Sequence, residues 1–201
     1  MASHSESDFD GLIARLARAL TDRRLPFMVI GGQAVLLHGE PRFTADIDIT
    51  LAASPDRLDD VIAVCSLAGL TVLPEDAAGF VGQTFVLPAA ERQTGMRVDF
   101  IFSTTEYEAQ AIGRAVTVGV GGVDVPFASA EDLLLHKLFA GRPRDLEDAS
   151  GIVRRKGTEL DWAYIHRWAH EFGAVPGRES LPEQAMALEG ESRRNGDAAP
   201  R

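Results

Sequence analysis

The chain has 201 residues, 45% of them hydrophobic, and a formal net charge of −10. That length supports one good core with room for a small second subdomain, and the negative charge repels nucleic acid at long range, which argues against a protein that coats phosphate backbones. No apolar run approaches the roughly 20 residues needed to cross a bilayer, and the N-terminus MASHSESDFD is polar and acidic, so a cytoplasmic protein without a membrane partner is expected.

The first predicted element is a helix from Asp8 to Arg24, where Phe9, Leu12, Ile13, Leu16, Ala19 and Leu20 recur at three- and four-residue spacing. Pro26 ends it. FMVIGG reads as a short buried strand halted by Gly31 and Gly32, QAVLLHGE as a brief helix closed by Gly39, and ADIDITLA as the next strand. SPDRLDDVIAVCSLAGL opens a helix with Ser54 as N-cap and Pro55 at the first helical position, and stops at Gly69. Its Cys65, the one cysteine of the chain, is read as a small core residue.

Short strands are expected at LTVL, QTFVL and RVDFIF, the last with Val98, Phe100 and Phe102 on one face and Asp99 and Ile101 on the other. AVTVGVGGVDVPF reads as a hairpin turning at Gly121 and Gly122; no helix follows these glycines at the spacing a dinucleotide loop needs. SAEDLLLHKLFAGRP is a helix with Ser129 and Asp132 as a capping box and Gly141 at its end. Two more helices are expected, from about Pro143 to Lys156 and from about Asp161 to Phe172, and then a polar, frayed tail. The order suggests a mixed α/β sheet capped by a helical subdomain.

Asp46 and Asp48 lie two apart on a strand and therefore share a face, while Ile47, Ile49 and Leu51 pack behind them. Like charges so placed repel, and burying them calls for a metal ion or basic partners unless they are fully exposed. A hard divalent cation suits oxygen donors and leaves positions for substrate phosphates. Asp99, alone on an apolar strand, is the candidate third carboxylate, and three such donors can hold two metal ions in phosphoryl or nucleotidyl transfer. An outer polar face on an edge strand is the structural alternative. The glycine pair ahead of a short helix offers backbone amides to a phosphate.

The run GGQAVLLHGEPRFTADIDI followed by Asp99 resembles the nucleotidyltransferase superfamily with a DNA polymerase β-like core. Its HGxxRxTxDID pattern, seen as His38, Gly39, Arg42, Thr44 and Asp46 to Asp48, looks like the AbiEii-type toxins of type IV toxin–antitoxin systems, as does Lys137 followed by GRPRDLED. The resemblance spans roughly residues 25 to 156. It implies a mixed β-sheet nucleotidyltransferase core; with the element order the expectation is that core and its N-terminal helix over residues 1–127, a helical C-terminal subdomain over 128–174 and, from the polar composition, a flexible tail over 175–201.

It further implies transfer of a nucleoside monophosphate from an NTP to a hydroxyl, with Mg2+ or Mn2+ on Asp46, Asp48 and Asp99. Asp99 is also the implied base. Gly31, Gly32, Arg42, Thr44 and Lys137 are implied at the nucleotide, with Lys137 also counted among the catalytic residues, and Asp145 or Asp148 matches the last acidic position. The second glycine stands where many relatives have serine. The implied acceptor is a tRNA 3′ end, and the implied partner an antitoxin protein. A small-molecule acceptor such as an aminoglycoside, a protein acceptor, and a catalytically silent binding module are the competing readings.

Lys137 sits among Leu133, Leu134 and Leu138, so it either contacts an anion or extends to water. Asp145 and Asp148 also suit the first turn of a helix after Pro143, with Arg144 four residues from Asp148. His166 and His170 have the spacing of zinc ligands on a helix, but no third ligand follows and no site is expected there. His38 and His136 are read as capping or surface residues, and Trp162 and Trp168 as docking the last expected helix.

Overall fold

The computed structural model describes residues 6–42 and 44–198. The chain divides into two compact units: Met1–Gln33 with Phe43–Ala128, and Ala34–Arg42 with Ser129–Arg201.

The first unit is built on a sheet of seven strands among the described residues. They are β1 (Phe27–Ile30), β2 (Asp46–Ala52), β3 (Leu70–Val72), β4 (Val86–Glu91), β5 (Arg97–Ser103), β6 (Val116–Val120) and β7 (Val123–Phe127). Their order across the sheet is β3-β4-β5-β2-β1-β7-β6. β2 lies antiparallel to β1 and parallel to β5, so strands about fifty residues apart in sequence become neighbours.

Alternation decides the faces. Ile47, Ile49 and Leu51 on β2 and Val98, Phe100 and Phe102 on β5 are all buried, and since registered residues of parallel neighbours point the same way, they form one apolar layer. Helices α1 (Glu6–Asp22) and α3 (Leu58–Ala68) pack on each other and on the sheet, bringing Leu12, Leu16, Leu20, Val61 and Val64 into the core. Arg15 of α1 pairs with the buried Glu91 of β4. Cys65 is buried as expected, and burial pushes its thiol up to about 12.

The hairpin between β6 and β7 turns on Gly121 and Gly122, both with positive φ (57° and 75°), the geometry of a two-residue turn that matches strand twist. Ser54 departs from its expected role: a 3-10 turn at Pro55–Arg57 precedes α3, and the Ser54 hydroxyl donates to Asp56 instead of capping the backbone. Gly69 ends α3 in the left-handed conformation, φ 82°. Two helices lie where strand or loop is expected. α4 (Ala77–Thr84), capped by Asp76, takes the start of QTFVL, and α5 (Glu106–Gly113) is capped by Thr105.

Helix α2 (Gly31–His38) begins in the first unit and continues into the second. The second unit is otherwise helical: α6 (Ala130–Ala140), α7 (Pro143–Lys156), α8 (Trp162–Gly173) and α9 (Leu181–Ala198). The segment expected to be a flexible tail therefore contains a helix of 18 residues, with residues 199–201 outside the described range. The physical reason is a sparse apolar stripe, Leu181, Ala185 and Leu188, that is buried despite the polar composition around it. His166 of α8 bonds Glu189 of α9 at 2.8 Å. Trp162 donates its indole N–H to the Gly157 carbonyl (3.0 Å), and Trp168 stacks near Phe172. No described helix is long and apolar enough to cross a membrane.

Candidate active site

Three adjacent strands assemble one polar surface on the sheet. In the parallel pairing of β2 and β5, Asp48 stands beside Asp99 and Asp46 beside Arg97. In the antiparallel pairing of β1 and β2, Ile30 stands beside Asp48, which puts Gly31 at the same end. The three carboxylates thus share the face opposite the apolar layer, with Asp46 exposed and Asp48 and Asp99 half-buried.

The glycine pair is shaped around two side chains of the DIDI segment. Gly31 has φ +63°, and a β-carbon on it would collide with the Asp48 carboxylate. A β-carbon on Gly32 would collide with the Thr44 hydroxyl and Cβ. Thr44 therefore lies in the space that any side chain at position 32 would need. The missing side chains let Asp48 and Thr44 lie against the first turn of α2, where the initial helical amides are unsatisfied by the helix itself.

Asp99 has a partner that the sequence reading overlooks. The Nε of Arg97 donates to its Oδ1 at 3.1 Å, and their side chains are 52% and 23% exposed. Arg97 lies two residues before Asp99, and that same-face spacing in RVDFIF is the signal that would have found it. Among the described residues no three His, Cys, Asp or Glu side chains close into a metal-holding cluster. The strands bring the three aspartates to one face, with Asp48 level with Asp99, while the Asp99 carboxylate is turned to Arg97. In chemistry the set fits a hard divalent cation, being three oxygen donors on one face with Gly31 making room for Asp48.

The second unit holds a different constellation. Lys137 of α6 is buried, 6% exposed, and its ammonium donates to Asp145 and Asp148 of α7 at 2.9 Å each. It neither extends to water nor lacks an anionic partner. Arg42 grips Asp148 with two bonds of 2.8 Å, and Arg142 donates to Asp145 at 2.5 Å. Asp148 is thus paired with Arg42 and Lys137, both outside its own helix. Burial acts to raise both carboxyls, but hydrogen bonds from Arg142 and Lys137 hold Asp145, and those from Arg42 and Lys137 hold Asp148, below the ordinary value.

The HGEPR segment is tied to α7 along its length. Arg155 donates to the Gly39 carbonyl at 2.7 Å, Arg154 pairs with Glu40 at 2.8 Å, and a β-carbon on Gly39 would crowd Ile152 and Val35. His38 is buried, not on the surface. So the motif divides: His38, Gly39 and Arg42 belong to the helical unit, and Thr44, Asp46 and Asp48 to the sheet.

Comparison with curated proteins finds no match. Among solved structures, the antibiotic-resistance factor ANT(2'')-Ia is similar, with a TM-score of 0.56 at 16% identity over 96% of each chain. An antigenic nucleotidyltransferase-like protein from Paracoccidioides brasiliensis gives 0.58 at 16% identity, over 98% of this chain and 94% of that one. The lincosamide antibiotic adenylyltransferase LnuA gives 0.51 at 14% identity, over 75% of this chain and 98% of that one. At such identities the likeness shows the fold, a mixed α/β nucleotidyltransferase fold. Residues 11–175 match the family described as nucleotidyltransferase of unknown function (DUF6036), and the chain belongs to that family.

Proposed function

We propose that this nucleotidyltransferase moves a nucleoside monophosphate from an NTP to a hydroxyl of a small, cationic, polyhydroxylated molecule. The observation that carries the chemistry is the register of Asp48 with Asp99 on parallel neighbours, with Asp46 on the same face and Gly31 beside them. Asp46, Asp48 and Asp99 would hold Mg2+ or Mn2+, which supplies Lewis-acid charge to the reacting phosphate and lowers the pKa of the attacking hydroxyl.

The chain's own residues account for the rest. Amides at the start of α2, exposed by Gly31 and Gly32, receive the triphosphate, and the Thr44 hydroxyl beside them is a further donor. Asp99 takes the proton of the acceptor hydroxyl, the acceptor oxygen bonds to the α-phosphorus, and the bond to pyrophosphate breaks. Lys137 and Arg42, each committed to carboxylates of α7, serve to order the helical unit.

For the acceptor, the net charge of −10 favours a cation by long-range attraction, and two structural neighbours are by name an antibiotic-resistance factor and an antibiotic adenylyltransferase. A tRNA 3′ end, with the chain acting as a toxin restrained by an antitoxin, is the second reading. It is supported by the resemblance of HGxxRxTxDID and of Lys137 with GRPRDLED. The test is incubation with each α-labelled NTP and Mg2+ against aminoglycosides, lincosamides, tRNA and total protein. Label on a small molecule supports the first reading; label confined to tRNA overturns it in favour of the second.

A further inference from the structure

We infer that Arg97 is a positioning residue that competes with the divalent cation for Asp99, so that metal binding and release of this arginine are one exchange. The inference rests on the metal role proposed above for Asp46, Asp48 and Asp99. Arg97 is beside Asp46 in the β2 and β5 register and two residues from Asp99 on the same strand. Its guanidinium therefore lies on the carboxylate face, and it donates to Asp99 Oδ1 at 3.1 Å.

Two physical consequences follow from that placement. Without a cation, the arginine offsets the repulsion among carboxylates that share one face, and its Nε–H bond turns the Asp99 carboxylate toward it. A carboxylate oxygen that already accepts from a guanidinium is a poorer metal ligand, so this bond opens for Asp99 Oδ1 to serve the cation. Because the two side chains are 52% and 23% exposed, opening the pair is inexpensive. The arginine thus protects the site from mutual repulsion when empty and yields it when the cation arrives.

The test is Mn2+ binding to the intact chain without nucleotide, followed by electron paramagnetic resonance of free Mn2+. It is run on the wild type, Arg97→Ala, Arg97→Gln, Arg97→Lys and Asp46→Asn, each checked for folding by circular dichroism. Arg97→Ala and Arg97→Gln are expected to bind Mn2+ about three- to fivefold more tightly, the size of an exposed ion pair that no longer has to be broken. Arg97→Lys, which keeps the charge but not the fork, is expected to fall between them and the wild type. Unchanged or weaker binding in Arg97→Ala and Arg97→Gln, with binding abolished by Asp46→Asn, overturns the exchange while leaving the metal site in place. Absence of Mn2+ binding by the wild type, or indifference to Asp46→Asn, overturns the metal role itself and the exchange with it.

Discussion

The carboxylate of Asp48 occupies the space that a β-carbon on Gly31 would require. Gly31 also has φ +63°, so substitution there meets both backbone strain and a collision with a carboxylate. Gly31→Ala is expected to cost about 1–2 kcal/mol of stability from the left-handed backbone alone and to displace Asp48. Nucleotide transfer should then fall far more than a stability change of that size explains. A urea titration beside a transfer assay checks this; a variant with wild-type transfer would sever the link between Gly31 and Asp48.

Asp46 is the most exposed of the three carboxylates. Asp46→Asn is therefore expected to leave the melting temperature nearly unchanged while lowering label transfer by more than about a hundredfold, the scale on which metal sites respond even to altered supporting residues. Transfer at the wild-type level would remove Asp46 from the metal set.

Lys137 is buried between two carboxylates, with Asp145 and Asp148 3% and 5% exposed in their side chains. Lys137→Met leaves those charges without their shared cation and is expected to destabilise the chain by about 3–5 kcal/mol. Chemical denaturation measures it. A fully stable variant with impaired nucleotide binding would instead favour contact between Lys137 and a phosphate.

The same cluster predicts an acid response. Asp145 and Asp148 have folded-state values held below the ordinary 3.8, so their contribution to stability is complete above that value and is lost as pH falls through the lower folded values. The denaturation midpoint of the wild type is expected to drop as pH is lowered from about 5 to about 3. In the double variant Asp145→Asn and Asp148→Asn that drop should shrink. Equal slopes would exclude these two residues as the source.

Helix α9 docks through few residues, of which Leu181 is 1% exposed. Leu181→Ala is expected to cost about 2–5 kcal/mol and to raise amide exchange across α8 and α9, with the sheet protected as before. Exchange confined to α9 would show that α8 is stable without it.

Periodicity was sufficient for the elements whose burial is one-sided. The alternation in DIDITLA and RVDFIF, the Ser129 cap with Gly141 as its stop, and the paired glycines of the hairpin are local signals, and each corresponds to an element. The reading failed where local composition and tertiary context disagree. Residues 181–198 look like a solvated tail because only Leu181, Ala185 and Leu188 carry an apolar stripe, and the helix persists through packing that composition does not encode. Arg97 was legible from its two-residue spacing to Asp99, since strand geometry places both on one face.

Strand alternation and the glycine pair were enough, from the sequence, to mark Asp46, Asp48 and Asp99 as carboxylates held apart from the core, because side-chain direction in a strand is a local property. Only the tertiary structure decided that β2 lies beside β5 with Asp48 level with Asp99, that Thr44 fills the space over Gly32, and that Lys137 belongs to Asp145 and Asp148. Pairing register and the sharing of a buried cation depend on segments distant in the chain, and which of them meet is settled by how the whole core packs.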